Sequence, residues 1–200
     1  MGDAGRGGLT VVWETNHGRQ HNFSPASYGQ GQGGLFVASA PRAALPGGGR
    51  DDEPTLLVED EADADIGLRM MALTSWVDLM AICKVKHIVC ILDEGTLQRW
   101  YGGLGDGDLA ATCKGQGLSF HHVPLVEAWP SAAVLARSLA VLRALPVGEE
   151  HTAVVCADGC AISAAAAAAW LASVHSVEVG LALASVEAAA KEFGAKRTPL

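Results

Sequence analysis

The sequence predicts an α/β fold: a central, mostly parallel sheet flanked by helices in three layers, α/β/α. Three observations carry this. Short β-branched runs recur between residues 87 and 155, segments with helical spacing separate them, and each separating segment is long enough for the crossover that parallel strands require. Half of the 200 residues are apolar, enough for one ordinary core, so a single domain is expected. Its boundaries are placed at 33–195, after a Gly-rich extended leader at 1–32 and before a short tail at 196–200.

Taken in order, Thr10–Glu14 (TVVWE) and Leu35–Ser39 (LFVAS) are short strand-like runs set among Gly, Gln, Asn and Ser. Residues 46–65 form an acidic, solvated loop interrupted by Thr55–Val58. The run of Glu59, Asp60, Glu61, Asp63 and Asp65 lacks the Gly turn and spacing of a calcium loop and is expected to be a solvated face. A helix is expected to start at Thr74 as N-cap, with Trp76, Leu79, Met80 and Cys83 on one face. His87–Leu92 (HIVCIL) is a buried strand.

Asp93-Glu94 reads as a turn, and the Gly-rich stretch Tyr101–Asp108 (YGGLGDGD) as a flexible surface loop, since no P-loop Lys follows it. Ser119–Leu125 (SFHHVPL) is a strand that must stop at Pro124. Ser131–Leu145 is an amphipathic helix with Leu135, Leu139 and Leu142 inward, closed by Pro146. His151–Val155 (HTAVV) is the third strong strand. It feeds a tight turn, Cys156 to Ile162, that opens into a very Ala-rich helix from Ser163 to about His175, anchored by Trp170 and Val174. A last helix is expected from Ser176 to Phe193, stopped by Gly194.

Composition excludes several functions. The net charge is −8 and no Lys/Arg cluster supplies the footprint that phosphate backbones need, so nucleic acid is not expected as a partner. No run of 18 apolar residues exists and residues 1–8 do not resemble a signal peptide, so no membrane insertion is expected and a soluble, cytoplasmic location is. The five cysteines, Cys83, Cys90, Cys113, Cys156 and Cys160, are an odd number in a chain too long to depend on disulfides, and reduced thiols are expected. Cys83 and Cys90 lie in apolar context and read as small core residues. His121, His122 and His151, together with the loop cysteines, invite a zinc site, but no CxxC or HxxxH spacing supports one. Neither metal nor other cofactor is expected.

In an α/β sheet, ligands sit beyond the carboxyl ends of the strands, which draws attention to the segment Val155, Cys156, Ala157, Asp158, Gly159, Cys160, Ala161, Ile162, Ser163. A strand, a cysteine, a short Gly-containing loop and a Ser at a helix start resemble the phosphate loop of the protein tyrosine and dual-specificity phosphatases, in which His-Cys is followed by five residues, Arg, and Ser or Thr. The resemblance extends over residues 87–193, which follow the element order of small dual-specificity phosphatases. His121-His122-Val123-Pro124-Leu125, with an acid two residues on, is similar to the branch that associates with cyclin-dependent kinases. Leu35–Arg42 (LFVASAPR) looks like the family's first strand and its following Pro.

The resemblance implies a cysteine-dependent phosphatase-like fold in which Cys156 holds the position of the nucleophile and Glu127 that of the leaving-group acid. The same comparison implies that the chemistry is lost. Loop N–H groups and an arginine grip the phosphoryl oxygens in such enzymes. Here the arginine position is Ile162, which carries neither donor nor charge. Val155 replaces the usual His, Asp158 puts a carboxylate into an anion-binding loop, and Glu127 is one methylene longer than the usual aspartate. Cys156 and Glu127 are therefore expected to be vestigial, and Cys160 to pack against the Ala-rich helix. The expected function is that of a pseudophosphatase, a structural or protein-binding subunit of a larger assembly, with a cytoskeletal or ciliary one as a candidate. The alternatives are a phosphatase with residual activity through Cys156, or a phosphate-binding module using loop amides alone.

Overall fold

The structure is a computed structural model and describes residues 21–27, 34–42, 66–104, 108–127, 129, 131–147 and 150–197. The strand expected at Thr10–Glu14, the Thr55–Val58 run and the acidic run of 59–65 lie outside the described residues. Among those described, five strands and six helices follow one another as β1 (Ser24–Pro25), β2 (Leu35–Ser39), α1 (Ile66–Ile82), β3 (Val85–Leu92), α2 (Glu94–Tyr101), α3 (Leu109–Gly115), β4 (Ser119–Pro124), α4 (Ala132–Ala144), β5 (His151–Cys156), α5 (Ala161–His175) and α6 (Val179–Glu192). The strands form one sheet in the order β1-β2-β5-β3-β4. Only the β1–β2 pair is antiparallel; β2, β5, β3 and β4 run parallel. The predicted three-layer α/β/α class is the observed one.

Alternation along the strands sorts side chains to two faces. Phe36, Ala38, Ile88, Cys90, Ala153 and Val155 face the layer containing α1, where Trp76, Leu79 and Met80 close the core. Leu35, Val37, Val89, Ile91 and Val154 face the layer of α4, α5 and α6. With both faces covered, the central strands read as continuous apolar runs, as parallel sheets require. β5 lies third of five and ends at Cys156, so the cysteine loop leaves from the middle of the sheet.

Ala164 to Ala168 on α5 are all buried, and their small side chains let the helix lie close against the strands. Trp170 is buried as expected, but Val174 is not: it is 52% exposed. Ser173, Ser176 and Val177 around it are exposed too, so the last turn of α5 extends past the packed layers.

Several expected boundaries move. α1 begins at Ile66 rather than at Thr74, because residues 66–73 (IGLRMMAL) hold mostly good helix formers, and Thr74 is an interior residue of the helix. The Asp93-Glu94 turn is a helix start: Asp93 caps α2 by accepting the Thr96 N–H at 2.8 Å. Asp108 caps α3 in the same way, accepting the Ala111 N–H at 2.6 Å, so the Gly-rich stretch lies between two short helices.

The inward stripe of α4 is Val134, Ser138 and Leu142, one position away from the expected Leu135 and Leu139. Burying Ser138 is tolerated because its hydroxyl donates back to the Val134 carbonyl at 2.9 Å. α5 starts at Ala161, two residues ahead of Ser163, and α6 runs over Val179–Glu192, inside the expected range.

Candidate functional site

Cys156 is the last residue of β5 and pairs in register with Ser39 of β2. The chain then turns through residues 157–160 into α5. The turn depends on Gly159, whose φ is +68°; a Cβ there would lie 2.5 Å from the Ser39 nitrogen and 2.6 Å from the Ala38 carbonyl carbon. The loop is thus pressed onto the end of β2, and only glycine fits.

The Cys156 side chain is 1% exposed. Its S–H donates to Asp158 Oδ1 at 3.3 Å, while Ser163 Oγ lies 3.1 Å from the sulfur. Burial pushes the thiol up to about 11; the Ser163 hydroxyl pulls the other way, and the Asp158 charge adds to the rise. The same Asp158 oxygen accepts the Cys160 N–H at 2.9 Å. A loop amide that could meet an external anion therefore meets a carboxylate from the loop itself. No side chain caps α5, whose N-cap residue is Cys160.

The remaining predicted positions fall around this center. Ala157 packs against the core on the α1 side, and Ile162 against the opposite core, on the α4–α6 side. The residue at the arginine position is thus taken up by apolar packing. Glu127 follows β4 and accepts a hydrogen bond from Ser131, the N-cap of α4, with Arg137 Nη1 at 3.8 Å. Among the described residues, its hydrogen bond and ion pair are with α4 and its cap.

Sequence reasoning missed a clamp that holds the loop from outside. Asn22, with φ of +48°, donates through Nδ2 to the Asp158 and Lys196 carbonyls, both at 2.9 Å, with Cys160 Sγ at 3.3 Å from the same nitrogen. Its Oδ1 accepts the Lys196 N–H at 2.6 Å. Arg197 completes the joint: Nη1 donates to the Asn22 and Lys196 carbonyls, and Nη2 to Ser24 Oγ at 2.7 Å and the Val37 carbonyl at 3.4 Å. Burial lowers the Arg197 pKa to about 10 against the attraction of Cys160, Cys156 and Asp158. Both guanidinium Nη groups are committed to protein oxygens, while Nε is buried without a hydrogen-bond partner, so this cation braces Asn22 and the end of β2. No local pattern in the sequence announces contacts between residues 22, 158 and 197.

The histidines considered for zinc are dispersed. His121 lies beside His87 with ring centroids 5.8 Å apart and planes tilted by 40°, His122 Nε2 bonds the Leu92 carbonyl at 2.8 Å, and His151 Nδ1 bonds the Cys83 carbonyl at 2.9 Å. Among the described residues, no three of the His, Cys, Asp and Glu side chains converge on a metal position. No helix among them is long and apolar enough to cross a membrane.

No protein-family model matches the chain, and no curated protein matches it by sequence. Solved structures do match it. Kinase associated phosphatase, solved with its catalytic-site cysteine replaced by serine, superposes with a TM-score of 0.51 at 15% identity, covering 80% of this chain and 76% of that one. PTPMT1 gives 0.51 at 13% identity, covering 88% and 87%. A mutant form of Tk-PTP gives 0.50 at 16% identity, covering 82% and 81%. The mostly parallel five-stranded sheet, the helical layers and these superpositions together give this chain the fold of the dual-specificity and tyrosine phosphatases.

Proposed function

We propose that this chain is a pseudophosphatase: a phosphatase-fold protein without phosphatase chemistry that serves as a protein-binding subunit of a larger assembly. The observation that carries the reading is the position of the Asp158 carboxylate, which accepts both the Cys160 amide and the Cys156 thiol within the loop. An incoming phosphate dianion would have to displace a negative charge from its own donors. It would then find Ile162 where a guanidinium is needed.

The nucleophile fares no better. With its pKa pushed up to about 11, roughly one thiol in ten thousand is ionised at pH 7. Glu127 accepts a hydrogen bond from Ser131, the N-cap of α4, which supports a capping role for it. The loss of one preorganised donor costs on the order of 10²–10³ in rate, and this loop lacks a charged pair of them. A fold freed of its chemistry retains its surface, which supports the binding role.

The test is an assay of the purified chain with a small aryl phosphate and with phosphopeptides. No turnover above the Cys156→Ser variant is expected; turnover abolished by Cys156→Ser would overturn the reading. In the same protein, Asp158→Gly combined with Ile162→Arg is expected to create measurable binding of inorganic phosphate that the native chain lacks.

A further inference from the structure

A second concave feature lies away from the cysteine loop, at the edge of the sheet where α2 and α3 meet β4. It is a cleft of about 550 Å³, within the range of small-molecule sites. Leu97, Leu109 and Phe120 line its apolar side and belong to, or pack on, the core beneath. Glu94, Asp108 and His122 line it as well, and no Lys or Arg does among the described residues. No residue of the Cys156 loop contributes.

The electrostatics of the cleft have a definite sign. Asp108 and Asp93 cap α3 and α2, and Glu94 opens the first turn of α2 with its side chain 85% exposed. Two carboxylates, Glu94 and Asp108, line the cleft itself against about half a unit of positive charge at each of two helix N-termini, which leaves its mouth negative by roughly one charge. His122 bonds the Leu92 carbonyl through Nε2, and its Nδ1 lies 3.7 Å from Glu94. Of the basic groups around α2, Arg99 donates to Thr96 Oγ1 at 3.2 Å and acts on Asp93, and the Arg69 guanidinium is taken up by the Arg99, Trp100 and Gly102 carbonyls at the end of the helix. The chain as a whole carries −8, which adds attraction at long range.

An apolar wall beside an acidic mouth matches a ligand with the opposite pattern. We propose that the cleft between α2, α3 and β4 binds a small organic cation, an amine or guanidinium on an aryl or alkyl body, with the body on Phe120 and Leu97 and the charge at Glu94 and Asp108. This inference does not depend on the state of the cysteine loop, so the native chain and the Cys156→Ser variant should bind alike.

The experiment is calorimetric titration of the full chain with three near-isosteric probes: 2-phenylethylamine, 2-phenylethanol and phenylacetate. The amine is expected to bind at least about tenfold more tightly than either of the others, with a preference that weakens as salt is added. Glu94→Gln with Asp108→Asn keeps a capping side chain on α3 and should remove that preference. Phe120→Ala should weaken amine and alcohol alike. Equal affinity for the three probes, no amine binding up to about 10 mM, or a preference that survives the double substitution would each overturn the proposal; the probe comparison needs no variant to fold.

Discussion

The cysteine loop and the β4 cleft both bring carboxylates to helix N-termini, and they dispose of them in opposite ways. Asp158 turns inward and takes up the donors of its own loop. Asp93 and Asp108 each take one backbone N–H of the helix they cap, and Glu94 stays largely in solvent above an open cleft. The first arrangement satisfies a binding site from within; the second leaves one facing outward. The two places lie two strands apart in the sheet, on β5 and on β4.

The sharpest way to break this contrast uses two glycines of positive φ. Gly159→Ala would drive a Cβ into the backbone of β2, and we expect it to cost at least about 3 kcal/mol of unfolding free energy or to prevent folding. Gly103, at φ +81° on the rim of the cleft, has nothing within 4 Å of its would-be Cβ, so Gly103→Ala should cost only about 1 kcal/mol for the backbone conformation. Denaturant titration of both variants measures the difference. Similar costs would mean that the loop is not packed as described.

Next in size is the clamp. Asn22→Ala removes the side-chain partner of the Asp158 and Lys196 carbonyls and of the Lys196 N–H, and should cost about 1–3 kcal/mol. Hydrogen exchange should rise at residues 157–160 and 196–197 together. A rise confined to one of the two segments would show that the clamp does not couple them.

At the cleft, Asp93→Ala should cost about 1 kcal/mol through the lost cap. The hydroxyl and N–H of Thr96 hold the Asp93 carboxyl below its usual range. Its contribution is therefore present above the unfolded pKa, near 3.8, and is lost as pH falls through the lower folded value. Asp93→Asn should keep most of the cap while removing that acid-side dependence, which denaturation at a series of pH values would reveal.

The smallest stability effect is expected of Asp158→Asn, and its signature is chemical. Removing the charge lowers the Cys156 pKa, and Ser163→Ala raises it further above about 11. The pH dependence of thiol alkylation, worked out for the unfolded chain as reference, reports both. A rise with Asp158→Asn, or a fall with Ser163→Ala, would remove the electrostatic account of the loop.

Much of the fold was legible in the sequence because its signals are local. β-branched runs at 88–92 and 151–155 announced the central strands, and alanine content announced α5. The two short helices were missed although Asp93 and Asp108 carried the right cap chemistry, because Gly102, Gly103, Gly105 and Gly107 pulled the reading toward a loop. The turn from Cys156 into a helix was legible from the strand, the Gly and the Ala run around it, whereas the roles of Cys156 to Ser163, Ile162 included, rested on the family resemblance. What spacing could not supply was the state of Asp158, since whether a carboxylate repels a ligand or replaces one depends on a rotamer. Nor could it reveal Asn22 and Arg197, whose partners lie more than a hundred residues away.

The Asn22 joint also bears on the order in which the molecule can be completed. It ties residue 22 to residues 136 and 174 positions later, both long-range separations. Closure of so long a loop is among the slowest contacts a chain of this size makes. During synthesis, β5 and its turn can leave the ribosome and find their neighbours while the fastener still awaits residues 196 and 197. The loop is thus expected to be the last part of the sheet end to become rigid, with its cysteines open to reagents in nascent chains and sheltered once residues 196 and 197 have joined Asn22.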